Sequence, residues 1–137
     1  MLLPMNNELW RVSPIFGVPS PLKSAEYWRD FFGFDLDPEE GVFAPEPTGA
    51  DGVYAIVKRE GVWVHFQLRQ EEAPKGDRGA MASDAYIYVV GVDALFAQMM
   101  ARGANVIRPV EDSPYGLRDF VVEDLNGYRI IFGEFIK

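Results

Sequence analysis

Residues 18–34 read Val18-Pro-Ser-Pro-Leu-Lys-Ser-Ala-Glu-Tyr-Trp-Arg-Asp-Phe-Phe-Gly-Phe34 and predict a capped helix between two short strands. Ser20 offers an N-cap oxygen, and Pro21 suits the first helical position because its fixed φ is already helical and its missing N–H is not needed there. Gly33 is typical of a helix C-terminus. The apolar residues recur at helical spacing, as Leu22, Ala25, Trp28 and Phe32.

The second half of the chain repeats this order. A second helix is predicted from about Asp93 to Gly103, and each helix has a strand before it and three extended segments after it. The predicted strands are Pro14–Val18, Phe34–Leu36, Val53–Lys58, Val62–Leu68, Ala85–Val90, Asn105–Ile107, Arg118–Val122 and Tyr128–Phe132. The sequence therefore predicts one α+β domain over residues 1–137, built from tandem βαβββ modules at about 10–70 and 83–137 with a linker at about 71–82.

Charge and composition exclude several classes of partner. The chain has 137 residues, with 13 Lys plus Arg against 21 Asp plus Glu, for a net charge of −8. Nucleic acid and anionic membranes are disfavoured because both attract clustered basic residues. The absence of cysteine excludes disulfides and thiolate metal sites. Met1–Trp10 is too short and polar for a secretion signal, and no window is apolar enough for a membrane span, so we expect a cytoplasmic protein.

Alternation along two strands predicts which sheet face is buried. Val64 and Phe66 share one side of their strand with Val62 and Leu68, whereas Trp63, His65 and Gln67 share the other. In the second module, Ala85, Ile87 and Val89 oppose Asp84, Tyr86 and Tyr88. The aliphatic sides suit packing against a helix. The aromatic and polar sides suit either a ligand surface or a dimer interface.

The module order, residues 18–34, and a second stretch together resemble the glyoxalase/bleomycin-resistance/extradiol-dioxygenase superfamily, also called vicinal oxygen chelate. The second stretch is Tyr115-Gly-Leu-Arg-Asp-Phe-Val-Val-Glu-Asp-Leu-Asn-Gly-Tyr-Arg-Ile-Ile-Phe132. It is similar to the family pattern Arg-x-Phe…Asp-Pro-Asp-Gly-Asn, with Leu125 in place of the proline. The first is similar to a helix ending in Tyr-x-x-x-Leu-Gly-Phe. The resemblance implies a cup-shaped mixed sheet with helices on its outer face, completed in a homodimer, with a ligand pocket inside.

The resemblance also implies four metal-ligand positions, which fall at Ser13, Trp63, Asp84 and Ile131. Of these only Asp84 carries a usual metal donor. A shifted register would join His65 and Asp84 to Glu134, but it requires Glu134 to reach in from the opposite face of its strand. We therefore expect no metal or other cofactor, with a divalent metal as the alternative.

Six residues are the predicted ligand-binding set: Trp63, His65, Asp84, Tyr86, Tyr88 and Arg118. The aromatic side chains can stack on a planar or cationic ligand. His65 can be a hydrogen-bonding group, a general base or an interface residue. Arg118 can pair with an anionic ligand group or with its acidic neighbours Asp119, Glu123 and Asp124.

These observations favour a metal-free small-molecule binding protein that holds an aromatic or cationic ligand in the cup. One alternative is a metal-dependent lyase or dioxygenase of the same superfamily with an atypical ligand set, so the enzyme question stays open. A second alternative is an interaction module whose cup is filled by its own side chains, for which Trp63, Tyr86 and Ile131 are bulky enough.

Overall fold

The computed structural model describes residues 6–69, 78–79 and 81–136. Two copies of the same element order follow one another, and most of the predicted linker lies outside the described residues. The first copy is β1 (Ile15–Val18), α1 (Pro21–Phe32), β2 (Val42–Phe43), β3 (Tyr54–Arg59) and β4 (Val62–Leu68). The second is β5 (Ala85–Tyr88), α2 (Val92–Ala101), β6 (Asn105–Asp112), β7 (Leu117–Glu123) and β8 (Arg129–Phe135). The predicted α+β class and tandem βαβββ order are confirmed.

Each module forms a four-stranded mixed sheet. The strand orders are β1-β4-β3-β2 and β5-β8-β7-β6, so both sheets have the same topology. In each, the strand before the helix pairs in parallel with the last strand of the module, and the remaining pairs are antiparallel. A parallel pair needs a long crossover connection, which the helix provides.

Helix α1 begins and ends as the sequence predicts. The Ser20 side chain accepts a hydrogen bond from the Lys23 backbone N–H, and Gly33 adopts a left-handed conformation with φ of 74°. Trp28 and Phe32 are completely buried on the inner side of this helix. A residue with a Cβ would be strained at Gly33, so glycine fixes the end of the helix.

The two modules share one hydrophobic core. Trp28 packs edge-on against Phe66 of the first sheet, and its indole N–H donates to Asp124 Oδ2, 3.1 Å away, in the second module. Phe32 packs against Phe132 on β8. Both sheets therefore turn their helix-facing sides toward this core, and their other sides, here called the open faces, point away from it.

The predicted strand Phe34–Leu36 is wrong, because the chain makes only one isolated bridge there, between Asp35 and Lys58. It then turns away from the sheet, since the Asp37 carboxylate accepts the backbone N–H groups of Glu39 and Glu40. The strand that takes this place in the module is β2 (Val42–Phe43), further along the chain. β6 is longer than predicted because it continues through Pro109 with two register shifts.

Candidate functional site

The open face of module one carries aromatic and basic side chains. Its residues on β1, β3 and β4 are Ile15, Tyr54, Ile56, Lys58, Trp63, His65 and Gln67, while their strand neighbours Val57, Val64 and Phe66 are completely buried in the core. The predicted facing of Trp63 and His65 is thus confirmed. The short turn at Glu60 and Gly61 sets the register that places Lys58 opposite Trp63.

Trp63 is already in contact with two cations supplied by the chain. The Lys58 ammonium lies 3.9 Å from the centre of the indole ring, and the Arg11 guanidinium lies 4.3 Å from it. Arg11 also lies 4.3 Å from the ring of Trp10. Cations attract the negative face of an aromatic ring. A ligand that approaches Trp63 therefore meets the positive charges of Arg11 and Lys58 as well as the indole ring.

His65 is tied to a neighbouring tyrosine. Its Nδ1 lies 2.6 Å from the hydroxyl of Tyr54, and the two rings meet edge-on. Burial lowers the pKa of His65, which favours the neutral ring. A neutral imidazole has one donor and one acceptor nitrogen, and the contact with Tyr54 uses Nδ1, so Nε2 is left to contact a ligand in the complementary role. His65 is positioned as a polar hydrogen-bonding group on this face.

The open face of module two contains a buried carboxylate, Asp119, on β7. It is completely buried and accepts hydrogen bonds from the hydroxyls of Tyr86, at 2.9 Å, and Tyr115, at 3.2 Å. It is also ion-paired to Arg108. Burial, together with the hydrogen bond to Asp119, raises the pKa of Tyr86, so that its hydroxyl stays protonated as a donor. These groups satisfy one another and hold the tyrosines in place.

Tyr86 lies flat across the sheet because the strand next to it carries a glycine. Tyr88 pairs with Gly133 in the β5–β8 ladder, and a Cβ at Gly133 would overlap the Tyr86 side chain. Tyr88 itself is exposed and stacks on Phe135, with ring centres 5.3 Å apart. The predicted residues Tyr86 and Tyr88 therefore belong to one aromatic strip along the edge of the module-two open face.

Asp84 lies at the start of this strip, but its carboxylate already accepts hydrogen bonds from other residues of the chain. It accepts two hydrogen bonds from the Arg78 guanidinium, at 2.7 and 3.1 Å, and one from the Arg129 backbone N–H. Burial acts to raise the pKa of Asp84, but the Arg78 and Arg129 contacts outweigh it and lower the pKa. Asp84 is thus a charged anchor for the segment that holds Arg78.

Arg118 lies on the other side of the sheet from the predicted set. It alternates with Asp119, which is on the open face, and it forms ion pairs with Asp93 on α2, at 2.8 Å, and with Asp112, at 3.0 Å. Neither partner is one of the acidic neighbours predicted from the sequence, and Asp119 pairs with Arg108 instead. The structure therefore does not bring Arg118 together with the aromatic residues. Alternation on β7 is the reason, since Arg118 and Asp119 must face opposite ways.

The donor set does not fit the family's metal site. Trp63 and Ile131 have no metal donor, and the two cations beside Trp63 would repel a divalent ion. Glu134 does not reach the open face, because its carboxylate accepts the Gly91 and Val92 backbone N–H groups at the start of α2. Within the described ranges no cluster of three His, Cys, Asp or Glu side chains could hold a metal.

A separate groove of about 560 Å³ opens between the β3–β4 turn and the N-terminal half of α2. Its walls include Val62, Ile87 and Leu95, and Tyr88 stands at its rim. The principal cation in it, Arg59, already donates to the Phe32 carbonyl at 2.8 Å and to Gln98 Oε1 at 3.1 Å. Its size suits a small molecule. The hydrogen bond from Arg59 to Gln98, however, joins the two modules.

The sequence analysis missed three features of the open faces: Lys58, Arg11 and the ion pair between Arg108 and Asp119. Lys58 could have been found, because a two-residue turn at Glu60-Gly61 places residue 58 opposite residue 63. Arg11 precedes β1 and carries no periodic signal, so only the folded chain shows that it returns over Trp63. The pairing of Arg108 with Asp119 depends on the register shifts in β6.

The fold defines a class: proteins built from two tandem βαβββ modules, each with a four-stranded mixed sheet. The chain belongs to the Glyoxalase/Bleomycin resistance protein/Dioxygenase superfamily, whose family model matches residues 13–132. A search of curated proteins gives no match. Among the described residues, neither helix has the length and apolarity needed to cross a membrane.

Solved structures share the fold over nearly the whole chain. TioX from Micromonospora sp. ML1 is 23% identical, with 93% of this chain and 99% of that chain covered at a TM-score of 0.68. A glyoxalase-related enzyme from Clostridium phytofermentans is 16% identical, with 97% and 100% covered at 0.74. The bleomycin-binding protein of bleomycin-producing Streptomyces verticillus, solved with copper(II)-bleomycin, is 23% identical, with 93% and 97% covered at 0.66. At these identities the likeness concerns the fold.

Proposed function

We propose that this protein binds a small aromatic molecule without a catalytic metal, on the open faces of its sheets. The observation that carries the proposal is the environment of Trp63. At a position where the superfamily resemblance expects a metal ligand, the chain has an indole flanked by Arg11 and Lys58. A divalent ion is repelled there, whereas a planar organic molecule finds aromatic and hydrogen-bonding neighbours.

The binding site is completed by a second copy of the chain. Both open faces point away from the shared core, so in one chain they are surfaces rather than pockets, and a small ligand needs enclosure on more than one side. Covering them in a homodimer would also remove the exposed aromatic rings of Tyr88 and Phe135 from water. The bleomycin-binding neighbour, solved with its ligand, supports small-molecule binding as the role of this fold here.

A second candidate is an interaction module with a self-filled cup. Two observations favour it: Tyr86 lies across Gly133, and the Arg69 side chain lies across Gly17, so that a Cβ at either glycine would overlap it. Side chains of the protein itself thereby cover part of each open face. If this reading is right, no small molecule will stabilise the protein.

The test combines metal analysis, native mass and ligand stabilisation. We expect a dimer without stoichiometric metal after incubation with Ni²⁺, Zn²⁺ or Mn²⁺, and aromatic compounds that raise the melting temperature. A ligand at a hundred times its dissociation constant adds about 2.7 kcal/mol to the free energy of unfolding. Trp63→Ala should abolish the shift, whereas Phe43→Ala, which removes an exposed ring on the outer strand β2, should keep it.

Two outcomes would contradict the proposal. Stoichiometric metal that is lost in His65→Ala and Asp84→Ala would establish a metal site and favour the lyase or dioxygenase alternative. A folded, metal-free protein that no aromatic compound stabilises would favour the self-filled interaction module.

A further inference from the structure

We propose that the cluster of Arg11, Lys58, Trp63 and His65 on the module-one open face, here called the basic cluster, binds the carboxylate of an aromatic acid. This inference rests on the proposed function and names the ligand class. It replaces the cationic ligand that was one of the two expected ligand types, because Arg11 and Lys58 make this cluster positive although the whole chain has a net charge of −8.

The first argument is an unsatisfied donor. The Nη1 atom of Arg11 is buried and has no hydrogen-bond partner among the described residues. A buried donor without an acceptor, especially on a charged group, costs free energy that an incoming acceptor recovers. A carboxylate is the acceptor that matches guanidinium geometry best. The fold therefore leaves the Nη1 donor of Arg11 without an acceptor, and a carboxylate that reaches this nitrogen would satisfy it.

The second argument is that, among the described residues, no carboxylate forms a close ion pair with either cation. Asp35 lies opposite Lys58 in an isolated antiparallel bridge, so its carboxylate is on the same side as the lysine. In the described ranges, however, no ion pair joins Arg11 or Lys58 to Asp35 or to any other acidic residue. The pKa of Asp37 is lowered mainly by the hydrogen bonds that it accepts from the Glu40 and Glu39 backbone N–H groups, and Lys58 contributes least. The cations are thus available to an external carboxylate.

The third argument is the position of the aromatic and polar groups around the cations. Both cations lie within 4.3 Å of the centre of the Trp63 ring, which fixes their location. His65 is two residues further along β4 on the same face, and its Nδ1 is held by Tyr54. An aromatic acid could place its carboxylate next to one or both cations, and its ring along this face toward His65 and Tyr54.

The experiment is calorimetric titration with three naphthalene probes of equal shape: 2-naphthoate, the neutral 2-naphthalenemethanol and the cationic 2-naphthylmethylammonium. We expect naphthoate to bind at least tenfold more tightly than the other two, with an affinity that falls as salt is raised. Arg11→Gln and Lys58→Gln should each weaken naphthoate roughly tenfold or more and leave the neutral probe unchanged. Lys23→Gln changes the net charge equally but lies on α1, and it should have no effect.

The failures of the two proposals differ. If the neutral or cationic probe binds as well as naphthoate, the protein binds aromatic molecules but the carboxylate assignment is wrong. If naphthoate is preferred but Arg11→Gln and Lys58→Gln behave like Lys23→Gln, the basic cluster is not the site. If those two variants change only the monomer–dimer equilibrium, the cluster contacts a second copy and the inference falls. If none of the probes binds, the proposed function falls with it.

Discussion

Asp124 should make the stability of this protein depend on pH in a direction that is unusual for a carboxylate. It sits where the β7–β8 turn meets α1, and it accepts the Trp28 indole N–H at 3.1 Å and the backbone N–H groups of Asn126 and Tyr128 at 2.9 and 3.0 Å. Burial outweighs these three donors and raises the pKa of Asp124 from 3.8 to about 6. The folded protein therefore binds a proton here more tightly than the unfolded chain does.

The direction and the size of this pH dependence follow from the thermodynamic linkage between proton binding and folding. Because the folded-state pKa is higher, Asp124 contributes stability that is fully present below its ordinary pKa and is lost as the pH rises through about 6. At about 1.36 kcal/mol per pKa unit, the whole effect is roughly 3 kcal/mol. About 1.4 kcal/mol of it lies between pH 5 and pH 8, a range that stays above the isoelectric point of about 4.6.

The assay is urea unfolding of wild type and Asp124→Asn at several pH values, followed by tryptophan fluorescence. Asparagine keeps the shape of the neutral acid but does not titrate, so the stability difference between the two proteins isolates Asp124 from the other carboxylates. We expect wild type to lose about 1.4 kcal/mol relative to Asp124→Asn from pH 5 to pH 8. A difference that is constant with pH, or that changes in the opposite direction, would refute the burial argument and show that the three N–H donors dominate.

Three further predictions concern single contacts, each measured by urea or thermal unfolding. Gly133→Ala should lower the free energy of unfolding by about 1–3 kcal/mol because a Cβ overlaps Tyr86, and a native-like stability would mean that the ring moves freely. Ser20→Ala should cost about 1 kcal/mol through loss of the α1 cap, and no change would show that water replaces the hydroxyl. Asp84→Asn should lower stability at pH 7, since Arg78 lowers the pKa of Asp84, and the deficit should shrink as the pH falls through that lowered pKa; a deficit that persists in acid would assign it to packing.

Local signals in the sequence were sufficient for α1 and for the strand faces. A serine cap, a proline at the first turn and a glycine end act within a few residues, so Ser20 to Gly33 could be assigned without knowledge of the rest of the chain. Alternation has a period of two, and it placed Trp63 and His65 opposite Val64 and Phe66 correctly. The strand predicted at Phe34–Leu36 failed because an Asp37 turn competes with the sheet at that point.

The sequence by itself determined the class of fold, since caps, turns and alternation are local and the module order repeats them twice. Only the tertiary structure decided the chemistry of the open faces, because that chemistry depends on contacts between residues that are far apart in the chain. Arg11 returns over Trp63, Arg108 reaches Asp119 through a shifted register, and Glu134 is used to cap α2. Arg118 illustrates the same limit: alternation gives its side of β7, but its partners Asp93 and Asp112 come from other elements. Long-range partners are chosen by packing, and packing leaves no periodic trace in the sequence.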